Sequence, residues 1–291
     1  MGGLVVPPVA VASTVRCEAV RDRVGTGDGG VRLERVESEG GREPLTVYRG
    51  GSGPPLHLLH DEWGIAGLEP LLEALADDFA VSSPVHPGFE DSPVSPRLRG
   101  AGDLALLHLG LLEREAEPAV VVGLSFGGWV ALEMAVRCRH HIAALVLVGP
   151  TGLRFGAPDE RNFVDLFAHD DEALAALLYS DPEKARRPEA LDDEALVRWV
   201  RNREAVARYG WEPYLHTPGL EDWTGELGLP TLLLHGAQDR FVAPGYYEKV
   251  AGAVGGARRR EVPGCGHYPH VERPEEVAAM IGEFLSGRGA P

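Results

Sequence analysis

The stretch Ala119-Val120-Val121-Val122-Gly123-Leu124-Ser125-Phe126-Gly127-Gly128 decides how this chain folds. Its first six residues are apolar and rich in β-branched valine, which suits a central strand of a parallel sheet covered on both faces. Residues 126–137 then read as a helix. Within the stretch, Gly123 to Gly127 forms a G-x-S-x-G pattern. In a chain with 37 glycines a lone match means little, so the flanking context carries the reading. Between an apolar strand and a helix, the pattern places Ser125 on a sharp turn where flanking glycines relieve crowding and the hydroxyl stands clear above the sheet. The start of the helix sets the Phe126 backbone N–H beside that hydroxyl, where the helix dipole favours negative charge.

Outward from this stretch, strand-like and helical patterns alternate. Residues 31–37 and 45–48 alternate apolar and polar, as half-buried strands do, and residues 56–59 are more continuously apolar. A helical pattern over 68–76, a buried strand at 79–81 and a Pro-, Ser- and Gly-rich loop over 82–100 follow. Asp103 is the expected N-cap of a helix whose Leu104, Leu107, Leu111 and Leu112 share a face. Residues 142–148 form another apolar strand. The rhythm then stops: residues 151–228 read as helical throughout, with helices expected over 160–168, 171–178 and 192–209. The last is capped by Asp192 and carries Leu196, Trp199, Val200 and Val206 at helical spacing. Strand 230–236, helix 246–253, strand 259–262 and helix 274–285 complete the chain.

The expected class is therefore α/β, a mostly parallel central sheet covered by helices on both faces. Residues 31–150 and 229–291 form this core, and residues 151–228 are inserted as a helical cap. Residues 1–30, with the run Gly25-Thr26-Gly27-Asp28-Gly29-Gly30, read as a flexible N-terminal tail.

Composition narrows the function classes. Of 291 residues, 44% are hydrophobic and 25% charged, so a core of ordinary size is available without disulfide staples. The formal charge of −16 repels phosphate backbones and anionic lipid, which excludes nucleic acid and membrane surfaces as natural partners. Cys17, Cys138 and Cys265 have no metal-ligand spacing, and an odd, sparse set suits a reducing compartment. The N-terminal apolar stretch is short, lacks basic residues and is broken by Pro7-Pro8, so it reads neither as a signal peptide nor as a membrane span. The expected location is cytoplasmic. The expected partner is a small-molecule substrate, with no metal and no organic cofactor. Oligomeric state is left open.

A serine hydroxyl needs a base to take its proton. Among 11 histidines, His267 is favoured because Gly264-Cys265-Gly266-His267 is a flexible loop between the last strand and the last helix, able to reach back over the sheet edge. His270 is the nearest competitor. Asp239 leaves the sheet after the apolar run Leu232 to Leu234 and is the expected acid that orients the imidazole. Three residues in the order Ser, Asp, His, each ending a different strand on one edge, form a far more specific signal than any one of them.

With these residues placed, the chain resembles the α/β-hydrolase superfamily over about residues 31–286. The look is that of cap-bearing members, the small esterases and carbon–carbon bond hydrolases. The carrying stretches are Gly123 to Gly128, Pro230 to Arg240, and Gly264 to His267 followed by Glu272-Arg273-Pro274-Glu275. The resemblance implies the α/β-hydrolase fold and a Ser125–His267–Asp239 triad that works through an acyl-enzyme. It disfavours haloalkane dehalogenase and epoxide hydrolase chemistry, which places Asp where this chain has Ser125.

Two stretches depart from the family pattern. Where His-Gly usually completes the oxyanion hole, this chain reads His60-Asp61-Glu62-Trp63-Gly64. The second donor beside Phe126 would then come from the backbone of Asp61 or Glu62. A carboxylate pointing inward there would oppose an oxyanion, so the side chain points away, is protonated, or has another job such as orienting water. Where an Asp usually precedes Pro-Gly, the chain reads Val85-His86-Pro87-Gly88. His60, Trp63, His86, Trp199 and Tyr268 are the expected pocket residues. The further aromatics of the insertion, including Phe163, Tyr209, Trp211 and Tyr214, could wall an apolar pocket, but most of them fit packing within the cap better than substrate contact.

Three functions remain open from the sequence: hydrolysis of an ester or thioester of a small, fairly apolar substrate, carbon–carbon hydrolysis by the same triad, and a binding or receptor-like module with weak turnover. Carbon–carbon hydrolases usually carry Trp after the catalytic His, where this chain has Tyr268.

Overall fold

Six short runs, most of them apolar, pair side by side in parallel, which requires long crossover connections and puts helices over the sheet. They are β4 (Pro55–Leu59), β5 (Ala80–Pro84), β6 (Ala119–Leu124), β7 (Ile142–Val148), β8 (Thr231–Gly236) and β9 (Ala257–Val262). The structure is a computed structural model that describes residues 22–24, 33–40, 43–157 and 159–287. Three earlier strands, β1 (Asp22–Val24), β2 (Leu33–Gly40) and β3 (Glu43–Gly50), add antiparallel to one side. Among the described residues the sheet order is β1-β2-β3-β5-β4-β6-β7-β8-β9. The first-quoted stretch is central, with β6 paired to β4 and β7. Every residue of β6 and of β8 is buried, so both faces of the sheet are covered. β9 is an edge strand whose Arg258, Arg259 and Arg260 are exposed, and a charged edge resists pairing with another chain.

The core helices are α1 (Glu69–Ala76), α2 (Ala101–Leu112) and α3 (Phe126–Arg137). α3 packs on β4, β6 and β7, and α2 lies against it. Between β7 and β8 come α4 (Asp171–Leu178), two 3-10 turns, α5 (Asp193–Gly210) and α6 (Glu221–Thr224). α7 (Tyr246–Ala253), α8 (Pro269–Glu272) and α9 (Pro274–Leu285) close the chain, with α9 packed on α1. No helix among the described residues is long and apolar enough to cross a membrane.

Four local expectations change. Asp22–Val24, read from sequence as tail, pairs with β2, while the rest of 1–30, Cys17 included, lies outside the described residues. α2 starts at Ala101 with Gly100 as N-cap, and Asp103 instead accepts a hydrogen bond from the Arg99 N–H at 2.8 Å. Residues 160–168 are not a helix. Phe163 bridges to Val242, the Val164 N–H donates to the Phe241 carbonyl, and Asp165 Oδ1 accepts from the Phe167 N–H at 2.9 Å; such local and tertiary partners compete with helical bonds. Asp192 does cap α5, accepting from the Ala195 N–H at 2.8 Å. However, Leu196 and Val200 on that helix are 39% and 57% exposed, and it is Asn202, Ala205, Val206 and Tyr209 that face inward.

Candidate active site

The elbow after β6 is held in a conformation that its glycines allow. Ser125 has φ of +44° and ψ of −105°, a sparsely populated region for a residue with a Cβ. A side chain at Gly123 would come within 2.6 Å of the Gly127 carbonyl, and one at Gly127 would strike the Leu59 carbonyl at the end of β4. The turn can therefore close only without those two Cβ atoms. As the first residue of α3, Phe126 has no earlier carbonyl in the helix for its N–H, which leaves that donor beside Ser125.

The three strand ends converge as expected. Ser125 Oγ is 2.8 Å from His267 Nε2, and His267 Nδ1 is 2.8 Å from Asp239 Oδ2. Asp239 also accepts from the Tyr247 hydroxyl at 2.6 Å and from the Phe241 N–H at 2.8 Å. Burial alone would raise the Asp239 carboxyl, but the His267 charge and these donors outweigh it and hold the group below the usual carboxylate range. Burial opposes a charge on His267, yet Asp239 wins there too and the imidazole is shifted upward. The His267 loop is pinned from the insertion, since the His267 N–H donates to the Leu178 carbonyl at 2.7 Å. Glu272 fixes the same loop by accepting from the Gly266 N–H at 2.6 Å and from the Ser180 N–H at 3.0 Å.

The stretch Asp61-Glu62 takes the inward of the alternatives open from sequence. Glu62 is 1% exposed, and the Ser125 hydroxyl donates to its Oε1 at 2.7 Å. Tyr268 donates to Glu62 Oε2 at 3.1 Å, and Trp63 Nε1 donates to the Tyr268 hydroxyl at 3.1 Å. Burial pushes the Glu62 carboxyl up to about 7, partly offset by His267 and the Ser125 hydroxyl, and its own backbone N–H also bonds it. Asp61 turns away: Oδ2 lies 2.8 Å from His270 Nε2 and Oδ1 accepts from the Trp63 N–H. His270, a competitor for the base from sequence, is thus partnered with Asp61 rather than Ser125.

The expected pocket residues divide. Trp63 stacks on Trp199 of α5, with ring centroids 4.4 Å apart, and Tyr268 touches both Trp63 and Glu62. His60 and His86 sit deeper and are fully buried. His60 Nδ1 donates to the Asp61 carbonyl and Nε2 accepts from the His86 N–H, so both its nitrogens hold backbone. His86 packs edge-on to Phe126 and bonds His108 at 2.8 Å. A cavity of about 370 Å³ lined in part by Arg161, Phe163, Trp211 and Tyr214 lies on the insertion side. Its Phe163 stacks on Phe241, whose ring packs against His267. Ser125 and His267 are themselves 0% exposed.

Sequence reasoning missed three contributors. Tyr247 on α7 reaches Asp239, and nothing local marks it among the tyrosines. Asn202 on α5 joins insertion to core, donating to the Trp63 carbonyl at 2.6 Å and accepting from the Glu90 N–H at 2.7 Å. Glu90, with φ of +49°, accepts from the Ile65 and Ala66 N–H groups. A polar residue on the inward stripe of α5 was the available signal for Asn202.

The sequence model of the Alpha/beta hydrolase family matches residues 50–280. A pimeloyl-[acyl-carrier protein] methyl ester esterase of Aromatoleum aromaticum is 31% identical, over 80% of this chain and 99% of that protein. A 2-hydroxymuconate semialdehyde hydrolase of a Pseudomonas species is 26% identical, over 82% of this chain and 89% of its own. Among solved structures, a thermophilic esterase from Thermogutta terrifontis superposes with a TM-score of 0.69 at 24% identity, covering 92% of this chain and 99% of that one.

Proposed function

This chain belongs to the alpha/beta hydrolase family and is a hydrolase, and on that premise we propose that Ser125, His267 and Asp239 are its catalytic triad. The reaction is hydrolysis of an ester or thioester of a small, fairly apolar substrate. The observation that carries this reading is the unbroken chain of 2.8 Å contacts from Ser125 Oγ through His267 to Asp239. His267 takes the serine proton as Oγ attacks the acyl carbon, Asp239 stabilises the imidazolium, and the proton passes to the leaving group. Water then repeats the sequence on the acyl-enzyme. The Phe126 N–H serves the oxyanion. Residues 151–228 act as a cap over the core of 31–150 and 229–291, and Trp63, Trp199 and Tyr268 wall the acyl pocket. His60 and His86 support that wall from behind. Because Ser125 is 0% exposed, substrate entry requires the groups that cover it to move. The acidic surface and the free Cys138 and Cys265 suit a cytoplasmic setting.

Carbon–carbon hydrolysis is the second reading, favoured by the similarity to 2-hydroxymuconate semialdehyde hydrolase and weakened by Tyr268 at a position where such enzymes carry Trp. A p-nitrophenyl ester assay with a fluorophosphonate serine label separates the readings. Turnover with labelling supports the esterase, whereas labelling without ester turnover points to a carbon–carbon hydrolase or a binding module. Ser125→Ala is expected to lower kcat by about 10⁶. Retention of most activity in that variant would remove Ser125 from the mechanism.

A further inference from the structure

The surroundings of Ser125 Oγ require one more proton than a Ser–His–Asp triad holds. Oγ lies 2.7 Å from Glu62 Oε1 and 2.8 Å from His267 Nε2. A hydroxyl has one proton to donate, so it can serve one of these neighbours and the other must supply a proton of its own. If the hydroxyl donates to Glu62, His267 is an imidazolium, since its Nδ1 also donates to Asp239. If the hydroxyl donates to His267, Glu62 carries the proton on Oε1. Glu62 Oε2 is committed as an acceptor by Tyr268, which in turn accepts from Trp63. The oxygen left to carry a proton is the one that faces the nucleophile.

Resting on the esterase reading, we propose that Glu62 is a catalytic hydrogen-bond donor in the Ser125 reaction, sharing one proton with His267 across the serine hydroxyl and presenting its O–H to the oxyanion. In the working form the proton is on Glu62 and His267 is neutral. Oγ then bonds to the acyl carbon, the carbonyl π pair moves to its oxygen, and the serine proton moves to His267 Nε2. The Glu62 O–H, released from Oγ, turns to the new oxyanion beside it. When the pair returns, the bond to the leaving group breaks and His267 hands it the proton, while Glu62 keeps its own. An ionised carboxylate here would repel the oxyanion, whereas the neutral acid stabilises it. A protonated carboxyl kept neutral by its site is an established way to supply such a donor.

The groups around Glu62 favour this. Burial raises its carboxyl to about 7. Asp61 on the same loop is paired with His270. The phenols of Tyr179, Tyr214, Tyr247 and Tyr268 are all shifted up by burial and stay neutral. His267, itself shifted upward, is the partner in the shared titration.

The test is the pH profile of kcat/KM for p-nitrophenyl butyrate. The intact protein should give a bell, falling about tenfold per pH unit on each side, because activity needs one shared proton and neither two nor none. Glu62→Gln keeps a neutral donor and cannot titrate, so its profile should rise to a plateau with no alkaline fall. Glu62→Ala should lose about 10² in kcat at the optimum. An unchanged alkaline limb in Glu62→Gln, or full activity in Glu62→Ala, overturns the proposal. Infrared pH-difference spectra of the intact protein give a readout that needs no turnover. A protonated-carboxyl band should disappear near neutral pH and be missing in Glu62→Gln, and its absence from the intact protein also overturns the proposal. Failure of the esterase reading is seen separately, as turnover that survives Ser125→Ala.

Discussion

Asp239 is served by three close donors and a longer fourth, the Val242 N–H at 3.4 Å, and that set decides what each residue contributes. The His267 ring, the Tyr247 hydroxyl and the Phe241 N–H together keep the carboxylate ionised in a site 3% exposed. Asp239→Asn would present the wrong partner to His267 Nδ1 and should lower kcat by about 10⁴ with little change in KM. Tyr247→Phe removes one charge-assisted hydrogen bond, a loss of about 1.5–3 kcal/mol. Because Asp239 retains His267 and the Phe241 and Val242 N–H groups, part of that loss is recovered, and kcat should fall roughly tenfold. Steady-state kinetics on the same ester check both. A Tyr247→Phe enzyme as impaired as Asp239→Asn would mean that the phenol, rather than the carboxylate, orients the imidazole.

Among the elements, α5 is tied to the strand-end loops by the Trp63–Trp199 stack, by the Tyr209 hydroxyl on the Pro87 carbonyl, by Arg198 and Arg201 on Asp91, and by Asn202. Its outer face carries exposed Leu196, Val197 and Val200, and its inner face places Asn202 between the Trp63 carbonyl and the Glu90 N–H. Asn202→Ala would leave the buried Glu90 N–H unpaired, at about 1–3 kcal/mol, and remove a part-buried bond from the Trp63 carbonyl. Thermal unfolding should show a lowered Tm, and substrate KM should rise as the Trp63–Trp199 contact loosens. Val200→Glu, on the exposed face of the same helix, should stay within about 0.5 kcal/mol of the parent. Equal damage from the two variants would contradict the orientation of α5 described above.

At the scale of the whole molecule, buried histidines couple stability to acid. His57 and His60 are lowered by burial to about 3 and about 4, and His86, His108 and His235 are lowered as well. His57, His108 and His86 are joined ring to ring at 2.9 and 2.8 Å. Each is neutral when folded and binds a proton below an unfolded value of about 6.5. The unfolded chain therefore takes up more protons at these five sites as pH falls, and stability declines from about 6.5 downward. Glu62, Glu90 and His267 are shifted upward and oppose this, since they hold protons better when folded. His267 opposes little below about 6.5, where its unfolded form is protonated too, so the five histidines outweigh the two carboxyls and unfolding takes up protons between about pH 6 and 5. Below about 4.5 the two carboxyls stop opposing and the decline steepens. Urea unfolding measured against pH gives this slope directly, and flat stability from pH 6.5 to 4.5 would refute it.

The parallel core and the meeting of Ser125, Asp239 and His267 were determined by sequence alone. The reason is physical: an apolar strand that ends in a sharp turn delivers its next residue to one edge of the sheet, wherever the rest of the chain goes. The direction of Glu62, the reach of Tyr247 and the non-helical path of 160–168 were decided by the tertiary structure. Glu62 and the 160–168 path depend on partners distant in sequence (Ser125 and the loop at Phe241-Val242), of which local pattern carries no record, while Tyr247, eight residues from Asp239, meets it only because the turn between them folds back. Periodicity likewise placed α5 but not its rotation, because Leu196 and Val200 fit an apolar stripe that the core leaves uncovered.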